Sequence, residues 1–203
     1  APPVPDNSFA GPVWQHLLAT LAPWGVAGPA HVMPLALCEA WRVRARDALA
    51  GLGAEPERPI LAVHTGSGAA WKRWPAVDLA QVIERAALET RCQVVVHEGP
   101  ADHEPAVELR DALRGERAGR KILRLIEPDL PLLAGVLQTS TAFVGADSGV
   151  SHLAAAVGTA AVILFPPATR ERWAPWSSTA LPLVAGAPEG NVDRVAEAII
   201  TRL

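Results

Sequence analysis

The chain has 203 residues, of which 50% are hydrophobic and 19% are charged, and its formal net charge at pH 7 is −3. This length and apolar share are sufficient for a substantial core, so the sequence is not that of a disordered protein. Lys and Arg form no basic block, which argues against a nucleic-acid partner, and no apolar run reaches the roughly 18 residues that a transmembrane helix needs.

The first 57 residues contain no strand pattern. Helices are predicted over residues 13–21 and 37–52, and most of the remainder is punctuated by Pro and Gly. We interpret residues 1–57 as a connector with helices that follows an N-terminal domain outside this sequence, and residues 58–203 as one α/β domain.

From residue 59 onward, short apolar runs alternate with helical patterns. This alternation predicts right-handed βαβ crossovers and a doubly wound parallel sheet of Rossmann-like type, with ligands bound at the carboxyl ends of the strands. Strands are predicted over residues 60–64, 93–97, 122–126, 142–145, 161–165 and 181–185, and helices over 77–89, 104–113, 130–138, 150–157 and 192–203.

The loop after the first strand combines small residues with a cation. Gly66 and Gly68 let the backbone turn and present N–H groups, and Lys72 supplies a charge that suits a phosphate. Ser67, between the two glycines, is a candidate contact to a nucleotide-sugar. The spacing is not that of a P-loop, because the residue before the lysine is Trp71. The alternative is a solvated lysine beside a structural Trp-Pro helix start.

The loop after the second strand carries acids at the start of a helix. Glu104 is the candidate to hold the two hydroxyls of a ribose, because one carboxylate can accept two hydrogen bonds. Asp102 and His103 compete for this role, and both acids could instead cap or begin the helix.

The loop after the fourth strand contains Asp147, Ser148 and Gly149, followed by His152 on the next helix. A glycine at the start of a helix lets an anion approach the free N–H groups and the positive end of the helix dipole. A plain helix cap by Asp147 or Ser148 would show the same pattern. Taken together, the three loops describe a pocket for a nucleoside diphosphate.

Other residue types narrow the chemistry. Cys38 and Cys92 form no CxxC pair, so we expect two reduced core thiols, as in a cytoplasmic protein. The six histidines include no HxxxH or HExxH spacing, so we predict no metal site. Among the tryptophans at the strand ends, Trp173 is the preferred candidate to stack on a ligand, and packing is the alternative for all of them.

These motifs resemble a known family. The segment K-R-W-P at 72–75, D-H-E at 102–104, the stretch from D-S-G-V-S-H to L-F-P-P at 147–167 and R-W-A-P-W at 172–176 are similar to the C-terminal half of the family 9 glycosyltransferases. These include the bacterial ADP-heptose:lipopolysaccharide heptosyltransferases. One departure is Pro166-Pro167-Ala168, where the family usually has Gly-Pro-Thr.

The resemblance implies the nucleotide-sugar half of a two-domain GT-B enzyme and inverting transfer from an ADP-sugar without a cofactor. It implies donor contacts by Lys72, Glu104 and His152, with the D-S-G turn holding the diphosphate. The catalytic base and an N-terminal α/β domain are expected outside this chain, and a saccharide or glycolipid is the expected acceptor. The implied location is the cytoplasm, with peripheral contact at the inner membrane as an extension.

Two other functions use the same residues. A non-catalytic module that binds a nucleotide or nucleotide-sugar would need the same pocket. A serine hydrolase would take Ser148 as nucleophile and His152 or His103 as base, but the glycine that a nucleophile elbow needs before the serine is misplaced at Gly145.

Overall fold

The computed structural model describes residues 5, 9–26, 28, 32–114 and 122–203. Parts of the predicted connector lie outside these ranges. Six strands pair in parallel in the order β3-β2-β1-β4-β5-β6. They are Ile60–His64 (β1), Gln93–Glu98 (β2), Ile122–Ile126 (β3), Ala142–Ala146 (β4), Ala160–Phe165 (β5) and Ala180–Val184 (β6).

The predicted helices of the α/β region are present, and one further short helix follows β5. The helices are Val13–Ala19 (α1), Glu39–Leu52 (α2), Ala76–Thr90 (α3), His103–Arg114 (α4), Leu130–Thr139 (α5), Gly149–Ala156 (α6), Arg170–Trp173 (α7) and Val192–Ile200 (α8). This confirms the predicted fold class, a doubly wound parallel sheet of Rossmann-like type. The strand order reverses between β1 and β4, which is where ligands of such sheets bind.

Successive strand residues supply two cores, because neighbouring side chains of a strand point to opposite faces. Leu61 and Val63 pack with the apolar faces of α3, α4 and α8. Ile60 and Ala62 pack on the other face with α2, α5 and α6. The sheet is therefore covered on both faces, and its carboxyl edge is left for loops.

Helix α2 lies before the predicted domain boundary, yet it packs as part of the second core. Ala45 and Leu49 are buried there, at 0% and 4% exposure. Helix α5 approaches closely because residue 135 is a glycine: a Cβ on Gly135 would lie 2.7 Å from the Trp41 carbonyl oxygen and 2.8 Å from the Ala45 Cβ. The boundary between residues 57 and 58 stays a prediction about chain organisation.

The two cysteines differ in environment. Cys92 is buried, as predicted, but Cys38 is exposed, so the expectation of two core thiols is wrong for Cys38. It precedes α2 at the helix N-cap. Among the described residues, no helix is both long and apolar enough to cross a membrane.

Candidate functional site at the carboxyl edge of the sheet

The three predicted loops meet at one edge of the sheet. Strand β1 lies between β2 and β4, and its last residue, His64, is in register with His97 of β2 and Gly145 of β4. The loops that follow β1, β2 and β4 therefore leave the sheet side by side. This arrangement fulfils the geometric condition for the predicted site.

Lys72 and Asp147 come together from two of these loops. Lys72 ends a short 3-10 turn after β1, and its Nζ lies 2.9 Å from Asp147 Oδ2. The Asp147 side chain is only 6% exposed, whereas that of Lys72 is 23% exposed. A buried carboxylate needs such a partner, so Asp147 fixes the lysine ammonium at the sheet edge.

His152 joins this pair from the first turns of α6. Its Nε2 lies 3.9 Å from Asp147 Oδ1, and we call Lys72, Asp147 and His152 the lysine cluster. Burial lowers the pKa of His152; the Asp147 carboxylate opposes this shift and the Lys72 ammonium adds to it. The imidazole is therefore neutral at pH 7, and it can donate or accept a hydrogen bond.

The start of α6 combines a cap with an open approach. Ser148 is the N-cap, and its Oγ accepts a hydrogen bond of 3.2 Å from the Ser151 N–H. Helix geometry leaves the preceding N–H groups without an intrahelical acceptor. A Cβ on Gly149 would find no heavy atom within 4 Å, so an anion has room to approach.

Backbone conformation and capping define this turn. The capping alternative holds for Ser148, which does not preclude a ligand at the same helix start. Gly149 is not among the glycines in the left-handed region. Its importance, if a ligand binds, rests on space and not on backbone strain.

The loop after β2 separates its two acids. The Asp102 carboxylate turns inward, and its Oδ2 accepts a 2.9 Å hydrogen bond from the Gly99 N–H. The Glu104 side chain is 76% exposed, and its Oε2 lies 3.1 Å from Arg73 Nη1. Of the two acids, Glu104 is therefore the one available to a ligand, and its role in ribose binding stays a prediction.

Ser67 shapes the loop after β1. Its Oγ donates a 2.5 Å hydrogen bond to the Ala69 carbonyl oxygen. Thr65, which the sequence reasoning did not select, follows β1 directly and lines a small depression with Trp74 and Ala146. Among the described residues, its buried Oγ1 has no hydrogen-bond partner, so it offers an unused polar contact.

The tryptophans near the carboxyl edge differ in exposure, and Trp173, our preferred candidate for stacking on a ligand, is not the most exposed of them. Trp173 is partly buried and packs against the second core, and Trp74 packs against the first. Trp71 is 65% exposed, and Lys72 Nζ lies 5.6 Å from the centroid of its ring. Trp71 is thus the ring at this edge that is free to stack, and Trp173 serves packing.

A second polar group lies at the ends of β1 and β2, and sequence reasoning missed it. Nδ1 of His64 lies 3.0 Å from Nδ1 of His97 and 3.9 Å from Asp102 Oδ2. We call these three residues the histidine cluster. Burial lowers the pKa of His64 to about 4, and the neighbouring His97 contributes to the shift. Burial also lowers the pKa of His97, so both rings are neutral at pH 7.

The geometry does not favour a serine hydrolase. Ser148 Oγ lies 3.1 Å from Ser151 Oγ and caps α6. The His152 ring is paired with the Asp147 carboxylate, at 3.9 Å, and not with Ser148. No oriented serine–histidine pair is found within the described part of the chain.

The fold and the site together define a class. A Rossmann-like sheet with a cation, an acid and an open helix start at its topological switch point is a doubly wound α/β domain with a candidate anion site. The sequence profile of "Glycosyltransferase family 9 (heptosyltransferase)" matches residues 9–195. The chain therefore belongs to glycosyltransferase family 9.

Solved structures share the fold. A family 9 glycosyl transferase from Veillonella parvula DSM 2008 is 22% identical with a TM-score of 0.74, covering 88% of this chain and 50% of its own. E. coli ADP-heptose lps heptosyltransferase II gives 22% identity, a TM-score of 0.72 and coverages of 88% and 56%. E. coli heptosyltransferase WaaC with ADP gives 17% identity, a TM-score of 0.64 and coverages of 98% and 57%.

This chain thus spans between 50% and 57% of the length of these three structures. No curated protein sequence matches it significantly. The family assignment rests on the profile match, and the likeness of the solved structures concerns the fold.

Proposed function

We propose that the chain is the donor-binding, C-terminal half of a GT-B glycosyltransferase that transfers a sugar, heptose in the first instance, from an ADP-sugar. The acceptor is a lipopolysaccharide-core or related saccharide. The observation that carries this proposal is the Lys72–Asp147 ion pair beside the open start of α6. The pair holds a positive charge where a diphosphate would meet the helix N-terminus.

The roles of the side chains follow from their charges. Lys72 contacts the diphosphate, and Asp147 keeps the ammonium in place while remaining on its protein side. Neutral His152 adds a hydrogen bond without a second positive charge. Ser148 and Gly149 keep the helix start capped and accessible, and Ser67 sets the shape of the neighbouring loop.

The same arrangement suits the chemical step. Inverting transfer breaks the bond between the anomeric carbon and the diphosphate oxygen while an acceptor hydroxyl forms the new bond from the opposite face. ADP leaves with added negative charge, which Lys72 and the dipole of α6 stabilise without rearrangement. The acceptor proton passes to a base that the N-terminal domain supplies, and the step needs no metal or other cofactor.

The nucleoside lies toward β2 in this proposal. Glu104 accepts hydrogen bonds from the ribose hydroxyls, and Arg73, which pairs with Glu104 at 3.1 Å, orients the carboxylate. The protein acts in the cytoplasm and meets a glycolipid acceptor at the inner membrane surface.

The test is a calorimetric titration of the wild-type protein and Lys72→Ala with ADP and with adenosine. A charge-assisted contact contributes about 1.5 to 3 kcal/mol, so Lys72→Ala should weaken ADP binding about 10-fold to 150-fold. Adenosine binding should change little. Arg194→Ala is the control, because Arg194 is exposed on α8 and its side chain pairs with nearby Glu197.

Absence of ADP binding by the wild-type protein, or an equal loss for ADP and adenosine in Lys72→Ala, would contradict the phosphate role. A thermal unfolding scan of each variant accompanies the titration, because loss of Lys72 leaves the Asp147 carboxylate without its ion-pair partner. Because the base is proposed to lie on the N-terminal domain, an assay for sugar transfer by the two-domain protein then separates the enzyme from a non-catalytic nucleotide-binding module.

A further inference from the structure

The histidine cluster brings three metal-ligating side chains to one point. The two imidazole nitrogens and a carboxylate oxygen of Asp102 all lie within 4.8 Å of one another. Two of these atoms face each other directly, at 3.0 Å between the Nδ1 atoms of His64 and His97. The residues come from the ends of β1 and β2 and from the position just before α4.

These separations are close to those of ligands around one small cation. Zinc binds imidazole nitrogen at about 2.0–2.1 Å with tetrahedral angles, which places two ligand atoms about 3.3 Å apart. Two of the three separations between ligand atoms, 3.0 Å and 3.9 Å, bracket that value, and the third is within 4.8 Å. Imidazole with carboxylate is also a donor set that zinc accepts.

Burial and supporting contacts hold the three groups in place. His64 and His97 are 3% and 8% exposed. The Gly99 N–H donates a 2.9 Å hydrogen bond to Asp102 Oδ2, which is the kind of outer contact that orients a metal-binding carboxylate. A Cβ on Gly66 would lie 1.8 Å from Asp102 Oδ1, so the glycine provides the space that the carboxylate occupies.

We propose that His64, His97 and Asp102 bind one divalent transition metal ion, with Zn²⁺ as the best match. Three protein ligands leave one tetrahedral position for water. The ion joins the ends of β1 and β2, and so it fixes the two loops that carry Lys72 and Glu104. This proposal revises the expectation of no metal site, which considered only linear spacings such as HxxxH, and it does not depend on the proposed function.

The test uses purified protein stripped with a chelator and titrated with Zn²⁺ alone by calorimetry. Titration with Co²⁺ alone adds a spectroscopic signal, because four-coordinate Co²⁺ has intense visible absorption. Each titration is repeated with His97→Gln and Asp102→Asn. His103→Gln is the matched control, since His103 adjoins Asp102 in sequence but is exposed and lies outside the cluster.

We expect one equivalent of Zn²⁺ to bind and to raise the unfolding temperature. His97→Gln and Asp102→Asn should each weaken Zn²⁺ binding about 100-fold or more. Loss of a residue that only supports a metal ligand costs about 10-fold to 100-fold, and loss of a ligand itself should cost at least as much. His103→Gln should bind as the wild type does. The Co²⁺ complex should show four-coordinate absorption in the wild type and lose it in both cluster variants.

Two results would overturn the proposal. One is a wild-type protein without saturable one-to-one binding, which would make the cluster a metal-free pair of hydrogen-bonded histidines. The other is retention of affinity in both cluster variants, or its loss in His103→Gln. Asp102→Asn keeps the shape of the side chain and an oxygen for the Gly99 N–H, so it should stay folded if His97→Gln does not. ADP titrations of the same samples report on the donor site separately.

Discussion

The lysine cluster and the histidine cluster lie at the same edge of the sheet, but the first holds charged side chains and the second holds two neutral imidazoles. The lysine cluster contains an ammonium and a carboxylate beside an open helix start. In the histidine cluster, burial keeps two imidazoles neutral. A charged, accessible group suits reversible binding of an anion. Buried neutral imidazoles, with their lone pairs, suit permanent contacts, either a hydrogen bond between strands or the binding of a cation.

The largest expected effect concerns the histidine cluster in acid. Unfolded histidine takes up its proton near pH 6.5, but folded His64, which faces His97 and Asp102, does so only near pH 4. Between these values the unfolded state binds more protons. With chelator present, the stability that depends on neutral His64 should be complete above about pH 6.5 and fall by roughly 3 kcal/mol as the pH drops to about 4.

Urea unfolding at a series of pH values measures this loss. The slope should be smaller in His64→Gln, because His97 is then the one imidazole of the cluster left to take up a proton, and burial lowers its pKa too. In His152→Gln the slope should fall by less than in His64→Gln, because burial also lowers the pKa of His152 but its side chain is 39% exposed. Equal slopes in wild type and His64→Gln would remove the contrast between the clusters.

The next largest effect concerns ADP binding at the helix start beside the lysine cluster. Gly149→Val should reduce ADP affinity by about 100-fold or more, because the side chain would occupy the approach to the helix start and remove about two charge-assisted contacts. The fold should survive, since a Cβ at this position meets no atom within 4 Å. Gly51→Val, at a site with equally open surroundings, is the control and should bind ADP normally.

A smaller effect is expected where the two loops touch. Gly66→Ala would force its methyl group against Asp102 Oδ1, 1.8 Å away, and displace the carboxylate. The free energy of unfolding should fall by about 1 to 3 kcal/mol, as for other overpacked sites. Gly68→Ala meets no atom within 4 Å and should cost little in the same urea titration. Similar losses at both positions would indicate a general effect of glycine replacement.

The smallest effect is that of the cap. Ser148→Ala removes the acceptor for the Ser151 N–H, and loss of an N-cap costs about 1 kcal/mol. ADP affinity should fall by less than it does in Gly149→Val, because the open approach remains. A larger loss of ADP affinity in Ser148→Ala than in Gly149→Val would make the serine hydroxyl, and not the helix start, the main contact.

The sequence predicted the sheet well because buried parallel strands are short apolar runs that end at Gly, Pro or charged residues. Residues 60–64 and 122–126 were identified with the bounds that the structure has for β1 and β3. The short α7 was not predicted, because four residues are too few to show a helical period. Cys38 was predicted to be buried because its sequence neighbours are apolar. It is exposed at the N-cap of α2, because apolar neighbours in sequence do not determine whether a cap residue faces the core.

The site was predictable only where one loop carries a complete pattern. The D-S-G turn and the lysine of the first loop are local signals, and the structure brings Lys72 to Asp147. The histidine cluster has no local signal, because its members meet through the register of two strands, with His64 opposite His97. A histidine at the last position of two adjacent predicted strands was the available clue, and its use required the strand order.

The close contact between α2 and α5 has a consequence for how the molecule unfolds. Ala45 and Leu49 of α2 lie in the same core as β1 and β5 residues. Gly135 of α5 has no side chain, so the backbones of α2 and α5 come so close that a Cβ there would collide with the Trp41 carbonyl oxygen. Amides of α2 should therefore exchange with solvent deuterium together with those of the central strands, in one cooperative opening. A chain shortened to begin at residue 58 would lose that cover and show faster exchange along α5.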